Sequence, residues 1–417
     1  MTRILVLSNM YPPHHLGGYE LSCRDVMDRL RDQGHEITIL TTTMRVAGVP
    51  DQPAEAMHGI RRDLAFYWED HKILNPSLRR RLQMERVNQA ALRRAIEECD
   101  PEVVSAWNMG AMSLGLLTAV VDAGIPLVLN VCDLWPIYGP QMDAWTRLFL
   151  RRPRLGTFVR RRTGVPTTLA DLGAHAAFLF VSDLIREKVE AVSPWRPRIS
   201  SVVYSGIDPR DFPQEPGAPR PWRWRLLYVG RIDERKGIHL AVEALKLLPS
   251  EATLEIFGEG DSSYLERLHR LTSDLGVEHR VAFGVIPRSE LKDRYREADV
   301  VVFPTIWDEP FGLVPVEAMA CDTPVVATGT GGSAEFLVDS ENCLRIPPGD
   351  AAALAAAIRR LADDGSLRSR LVEGGRRTAA ELTIDRLTDV LGSWHVAAAG
   401  GFASELPPRR HLSLSGR

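Results

Sequence analysis

A chain of 417 residues exceeds what a single core usually supports, so two domains of about 200 residues each are expected. With 45% hydrophobic and 25% charged residues and a formal net charge of −3, the composition is that of a globular protein and argues against nucleic acid as the main partner. The five cysteines (Cys23, Cys99, Cys132, Cys321, Cys343) show no paired spacing, so neither a disulfide framework nor a zinc site is expected, and a reducing cytoplasm fits.

The opening MTRILVLSNMYPP carries too short an apolar run for a secretory leader and reads as a first strand. No run approaches the roughly 20 apolar residues of a membrane span, so any membrane contact is expected to be peripheral. Strands follow at ILVLS (from Ile4), HEITILT (from His35), EVVSAW (from Glu102), PLVLNVC (from Pro126), AFLFVS (from Ala177) and ISSVVY (from Ile199), with helices between them. The clearest helix is Tyr19 to Asp32, with Leu21, Val26 and Leu30 near one face. Ahead of it, Gly17 and Gly18 let a backbone turn approach a phosphate or a sugar, although a plain tight turn explains paired glycines equally. The pair does not form the GxGxxG fingerprint of a dinucleotide site.

Seven arginines between Arg147 and Arg162, interleaved with Leu148, Phe149, Leu150, Phe158 and Val159, suit an anionic membrane, a phosphate-bearing acceptor or a plain solvated helix face. The stretch Asp208 to Trp222 carries five prolines and reads as a linker. A second series then runs RLLYVG (from Arg225), TLEIFGEG (from Thr253), RVAFGVI (from Arg280), DVVVFPT (from Asp299), PVVATG (from Pro324) and NCLRI (from Asn342). Six strands in each half predict two doubly wound α/β domains, 1–207 and 223–383, facing across a cleft with ligands at the carboxyl ends of the strands. Helices near Asp350 to Ala362 and Asp385 to Ala398 and a tail, 401–417, read as disordered, complete the chain.

Chemistry concentrates in Asp308 to Leu337. Glu309 falls in a loop after a strand, whereas Glu317 falls inside an otherwise apolar helix, where a carboxylate needs partners that a polar ligand can supply. Gly312 allows close backbone approach, and a helix starting there would aim N–H groups and its positive end at an anion. Upstream, Arg231 and Lys236 follow the strand RLLYVG; a guanidinium fork and an ammonium point charge there suit a diphosphate. Lys236 is one of only five lysines in the chain. Taken singly, each of these charges also reads as an ordinary surface group.

With these residues in view, the sequence resembles the retaining GT-B glycosyltransferases of the family 4 type, whose hallmark is two glutamates separated by seven residues. The resemblance runs through the GG loop, SGID (Ser205 to Asp208), Arg231 to Lys236, FGEG (Phe257 to Gly260) and EPFGLVPVEAMA. It implies that Arg231 and Lys236 grip the diphosphate of a nucleotide-sugar donor, with UDP expected, while Glu317 binds the ribose and Glu309 the transferred sugar. Backbone N–H groups at Phe311, Gly312 and Leu313 would hold sugar and phosphate, Gly17 and Gly18 would approach from the first domain, Gly258 would line the donor site and the base would lie near Ile286.

The resemblance further implies no metal and no cofactor beyond the nucleotide sugar, a hydroxyl acceptor and a last helix, 384–400, that packs back on the first domain. One departure stands out: Cys132-Asp133 occupies the place of the usual His-Asp. A thiol cannot replace imidazole as a proton relay, which leaves Asp133 as the catalytic candidate there. A nucleotide-sugar-binding protein without turnover, or another GT-B enzyme such as an epimerase, remains the alternative.

Overall fold

A computed structural model describes residues 1–51, 59–69, 72–214 and 221–402. Residues 215–220 of the proline-rich stretch and nearly all of the tail lie outside the described residues. Contacts divide the chain into two units, one formed by Met1–Tyr204 with the described residues from Leu387 on, the other by Ser205–Arg386.

Unit 1 contains β1 (Arg3–Ser8), α1 (Gly18–Asp32), β2 (Glu36–Thr42), β3 (Ile60–Leu64), a small antiparallel pair β4 (Trp68–Glu69) and β5 (Lys72–Ile73), α2 (Leu78–Cys99), β6 (Val103–Ala106), α3 (Gly115–Asp122), β7 (Leu127–Val131), α4 (Trp135–Met142), α5 (Pro153–Thr163), α6 (Leu172–His175), β8 (Ala176–Phe180), α7 (Asp183–Val192) and β9 (Ile199–Val202). Its seven-stranded parallel sheet has the order β3-β2-β1-β6-β7-β8-β9, with Val6 opposite Ile39 on one side and Ser105 on the other. The inner strands are apolar on both faces because helices cover both, as the continuous burial of β1, β6, β7 and β8 shows. The sequence-based expectation of six strands omitted β3, an edge strand that reads Ile-Arg-Arg-Asp-Leu and presents no apolar run.

Unit 2 contains β10 (Arg225–Val229), α8 (Ile238–Leu247), β11 (Thr253–Phe257), α9 (Ser262–Asp274), β12 (Val281–Gly284), α10 (Arg288–Glu297), β13 (Val300–Phe303), α11 (Val314–Ala320), β14 (Val325–Ala327), β15 (Leu344–Arg345), α12 (Ala351–Asp363) and α13 (Gly365–Glu381). Its six strands are the six expected, ordered β12-β11-β10-β13-β14-β15. Both sheets are wound alike: three strands are laid outward, then the chain crosses back to the other side of the first. The switch points therefore fall between β1 and β6 and between β10 and β13, the places where loops at the carboxyl ends part and leave a crevice.

The last helix, α14 (Ile384–Ala399), leaves unit 2 after Arg386 and continues within unit 1, where Gln33 donates to Asp389 (3.0 Å) and Gly392 lies against Leu30. Gly206 of the SGID motif is required by packing, since a Cβ there would lie 2.2 Å from the Thr383 carbonyl carbon.

Candidate functional site

Two loops flank the switch point of unit 2, one after β10 and one after β13, and backbone geometry binds them together. Thr305 Oγ1 (3.1 Å) and the Ile306 N–H (2.9 Å) both donate to the Arg235 carbonyl. Gly237, at φ +68°, passes so close to the second loop that a Cβ would lie 2.0 Å from the Pro304 oxygen. The glycine after Lys236 is thus what allows the lysine to reach the second loop.

There Lys236 Nζ donates to Glu309 Oε2 at 2.5 Å, with side chains 19% and 12% exposed. The Trp307 indole N–H donates to the same oxygen at 3.1 Å, and the Arg235 guanidinium stacks 4.6 Å above the Trp307 ring. The backbone of Glu309 is fixed as well: its carbonyl accepts the Gly332 N–H (2.7 Å), and a Cβ on Gly331 would collide with it at 2.5 Å. Arg231 is exposed on the β10 loop, and among the described residues its guanidinium has no hydrogen-bond or ion-pair partner. The buried Tyr228 phenol donates to the Arg231 carbonyl (3.0 Å) and feels the charges of Glu309, Asp233 and Arg231, so these groups surround one ring; burial drives its pKa far above the usual value.

Glu317 is 5% exposed. Its carboxylate accepts the Tyr295 hydroxyl (2.7 Å) and the Arg288 guanidinium (3.2 Å), both from α10, where they stand seven residues apart on one face. Arg288 also pairs with Asp211 (3.0 Å) and lies 5.2 Å over the Phe212 ring. The partners that burial demands are therefore supplied by the protein itself, in a charged network beside α11.

Several expectations change in detail. The helix expected to begin at Gly312 begins at Val314 and spans seven residues, with Pro315 in its first turn removing one N–H donor. Gly312 instead makes a turn at φ +92°, where a Cβ would sit 3.1 Å from Phe303 and 3.3 Å from the Glu309 side chain. Leu313 precedes the helix, and the Phe311 ring is buried against Phe336 at 5.0 Å. Gly258 and Gly260 are glycines because the β11 loop crosses the β10 loop, where Cβ atoms would lie 1.9 and 2.2 Å from the Gly230 and Ile232 oxygens. Ile286 is half-buried between exposed Val285 and Pro287 in the loop that leads to Arg288.

In unit 1, Gly17 precedes α1, and its N–H is bound by the Glu20 carboxylate at 3.1 Å. A Cβ on Gly18 would meet no atom within 4 Å, so packing does not require glycine there. The neighbouring Tyr19 donates its hydroxyl to the Asn130 carbonyl, close to the Cys132 thiol at the end of β7. Burial pushes that thiol up to about 12, which keeps it neutral. Asp133 accepts the Trp135 N–H (3.0 Å) and the Tyr138 hydroxyl (2.9 Å), and burial raises its pKa.

The structure thus joins Lys236 to Glu309 directly and surrounds Glu317 with a separate set of donors. Arg288, Tyr295, Trp307, Arg235 and Tyr19 were not anticipated. The need of a buried Glu317 for donors, read together with the Arg288/Tyr295 spacing, was the signal available for two of them. Among the described residues no group of three or more His, Cys, Asp or Glu side chains is clustered as a metal site would require.

Comparison with known proteins gives these loops a context. Residues 16–211 match the family model described as Glycosyltransferase Family 4, and residues 214–378 match the one described as Glycosyl transferases group 1. An uncharacterized glycosyltransferase of Methanocaldococcus jannaschii is 33% identical over 216 residues, which span 48% of this chain and 54% of that one. Glycogen synthase of Mycobacterium tuberculosis is 27% identical over 414 residues, 90% of this chain and 89% of the relative. The crystal structure of Anabaena HepE in complex with UDP and glucose superimposes with a TM-score of 0.68 at 22% identity, covering 94% of this chain and 98% of that one. That likeness carries the GT-B fold, two parallel sheets each layered with helices. The two family models thus take in the two halves of the sequence in succession, each half resembling a glycosyltransferase family.

Proposed function

We propose that the protein is a retaining glycosyltransferase that transfers a sugar from a UDP-sugar to a hydroxyl acceptor without a metal. The observation that carries this reading is the meeting of Lys236 and Glu309 at the switch point of unit 2, beside the exposed Arg231. An ammonium has three donors, so Lys236 can keep its bond to Glu309 while a second N–H reaches a diphosphate oxygen. Arg231 adds a guanidinium fork. Two cations, one of them already held by Glu309, neutralise the charge that develops as the sugar-phosphate bond breaks, the role a metal fills elsewhere.

Retention follows from a front-face course. The bond from C1 to the phosphate oxygen breaks, the bond from C1 to the acceptor oxygen forms on the same face, and the acceptor proton passes to the departing phosphate. Glu309 Oε2 already takes two donors, from Lys236 and Trp307. Such a carboxylate is a poor nucleophile and a good anchor for sugar hydroxyls and for positive charge at C1. Glu317 holds the ribose, with Arg288 and Tyr295 fixing its rotamer. In unit 1, Gly18 leaves open backbone at the start of α1, and Asp133 presents a carboxyl group at the end of β7.

The neutral Cys132 favours a second reading, a protein that binds nucleotide sugar with little turnover. Labelled UDP-, GDP- and ADP-sugars incubated with saccharide and lipid-linked acceptors separate the two. Transfer with a retained anomeric configuration by NMR, undiminished in EDTA, is the expected result. Tight donor binding without transfer or hydrolysis supports the second reading, inversion overturns the front-face course, and loss of activity in EDTA overturns metal independence.

A further inference from the structure

Between Asp143 and Asp171 the sequence has no acidic residue and seven arginines. The structure folds this stretch into a short turn, 146–149, and the amphipathic α5. Gly156 decides which side of α5 faces inward: a Cβ there would lie 3.1 Å from both Phe149 and Thr167. Val159 packs on the small core of Trp145, Phe149 and Val165, and Arg160 is tied to Asp122 at 2.6 Å.

The opposite side cannot turn inward, yet it is apolar as well as basic. Leu155 and Phe158 are 44% and 57% exposed, and Leu150, just before the helix, is 74% exposed. Arg154, Arg161 and Arg162 are exposed on the same stripe at helical spacing, with the Arg162 guanidinium 5.8 Å above the Phe158 ring.

We propose that this face of α5 docks on an anionic lipid bilayer, Phe158, Leu155 and Leu150 entering the headgroup boundary while the arginines contact lipid phosphates. Charge complementarity selects the partner, because a helix face bearing Arg154, Arg161 and Arg162, in a stretch of sequence without an acidic residue, matches anionic headgroups. The outward apolar side chains select a bilayer over a soluble phosphate or a nucleic acid, since only the bilayer offers them hydrocarbon. No helix among the described residues is long and apolar enough to cross a membrane, so the contact is interfacial. Docking through α5 does not depend on the donor chemistry.

Co-sedimentation of the full chain with phosphatidylglycerol/phosphatidylcholine vesicles tests the proposal. Binding is expected to the anionic vesicles and not to phosphatidylcholine alone, weakening steeply from 50 to 300 mM salt. Arg154→Ala with Arg161→Ala should weaken binding about 30-fold, at roughly a factor of five per arginine. Phe158→Asp with Leu155→Asp should weaken it at least about tenfold. Both pairs are exposed, so the thermal midpoint should stay in place. Absence of binding to anionic vesicles at low salt overturns the proposal. So does binding that the aspartate pair leaves unchanged, or retention on duplex DNA with none on vesicles. Donor binding measured on the same variants reads the catalytic proposal separately.

Discussion

The two units share a winding and differ in what stands at the carboxyl ends of their strands. In unit 2 the loops after β10 and β13 and the helices α10 and α11 carry charge against charge, Lys236 on Glu309 and Arg288 on Glu317. In unit 1 the end of β7 carries a buried thiol, Cys132, and a carboxyl group, Asp133, that accepts the Tyr138 hydroxyl. The contrast extends into the interiors. Glu85 on α2 is fully buried and accepts the Tyr67 (2.8 Å) and Ser113 (2.6 Å) hydroxyls, and burial raises its pKa to about 7. One architecture therefore supports two electrostatic designs: charge set against charge in unit 2, and acids met by hydroxyls in unit 1.

The strongest way to break this comparison is to remove the field. Arg231→Ala should lower kcat/KM at least about 100-fold while the melting temperature holds, because no protein partner is lost. Lys236→Ala should lose as much activity and also destabilise unit 2 by about 1–2 kcal/mol, since Glu309 then loses its cation. Wild-type kinetics in Arg231→Ala would remove that residue from the diphosphate site.

Substitutions at the two buried glutamates sharpen the contrast, at Glu85 through pH. A pKa raised in the folded state means that the contribution of Glu85 is whole below about pH 4.5 and is lost as pH rises through 7, by about 3 kcal/mol in full. Glu85→Gln should therefore stabilise at pH 8 and flatten the profile measured by denaturant unfolding. Glu317→Gln should instead destabilise by about 1–2 kcal/mol by weakening the bond to Arg288, and it should loosen nucleotide binding by calorimetry. Destabilisation by Glu85→Gln at pH 8 would show that unit 1 also pays for its acid with a charge. The smallest effect is expected for Trp307→Phe, which keeps a ring beneath Arg235 and removes one donor from Glu309. A threefold to tenfold loss in kcat with an unchanged Kd for UDP is expected, about 1 kcal/mol for a hydrogen bond; an altered Kd would move Trp307 from the sugar to the nucleotide.

Much of this was legible before folding was considered. β13 and β14 announce themselves because a strand covered on both faces must be apolar throughout, and EPFGLVPVEAMA marks an apolar helix that contains a buried acid. β3 was illegible for the same reason in reverse, as an exposed edge favours Arg61, Arg62 and Asp63. α13 was missed as well, its Gly374 and Gly375 weakening the helical signal although packing demands them, with Cβ atoms 1.9 Å from Glu341 and 2.9 Å from Met319. Gly258 invited a ligand explanation that the crossing of two loops makes unnecessary.

Sequence by itself determined the alternation of buried strands and amphipathic helices, the separation of Glu309 from Glu317 and the arginine-rich stretch free of acids, because these are local patterns of polarity and spacing. Which residues meet was decided only in three dimensions. Lys236 and Glu309 lie 73 positions apart and touch because Gly237 lets one loop press against Pro304 of the other; Arg288 reaches Glu317 because α10 packs beside α11; Phe158 faces outward because Gly156 holds the other side of α5 against Phe149. Contacts of that kind depend on close packing between segments distant in the chain, and no local pattern encodes them.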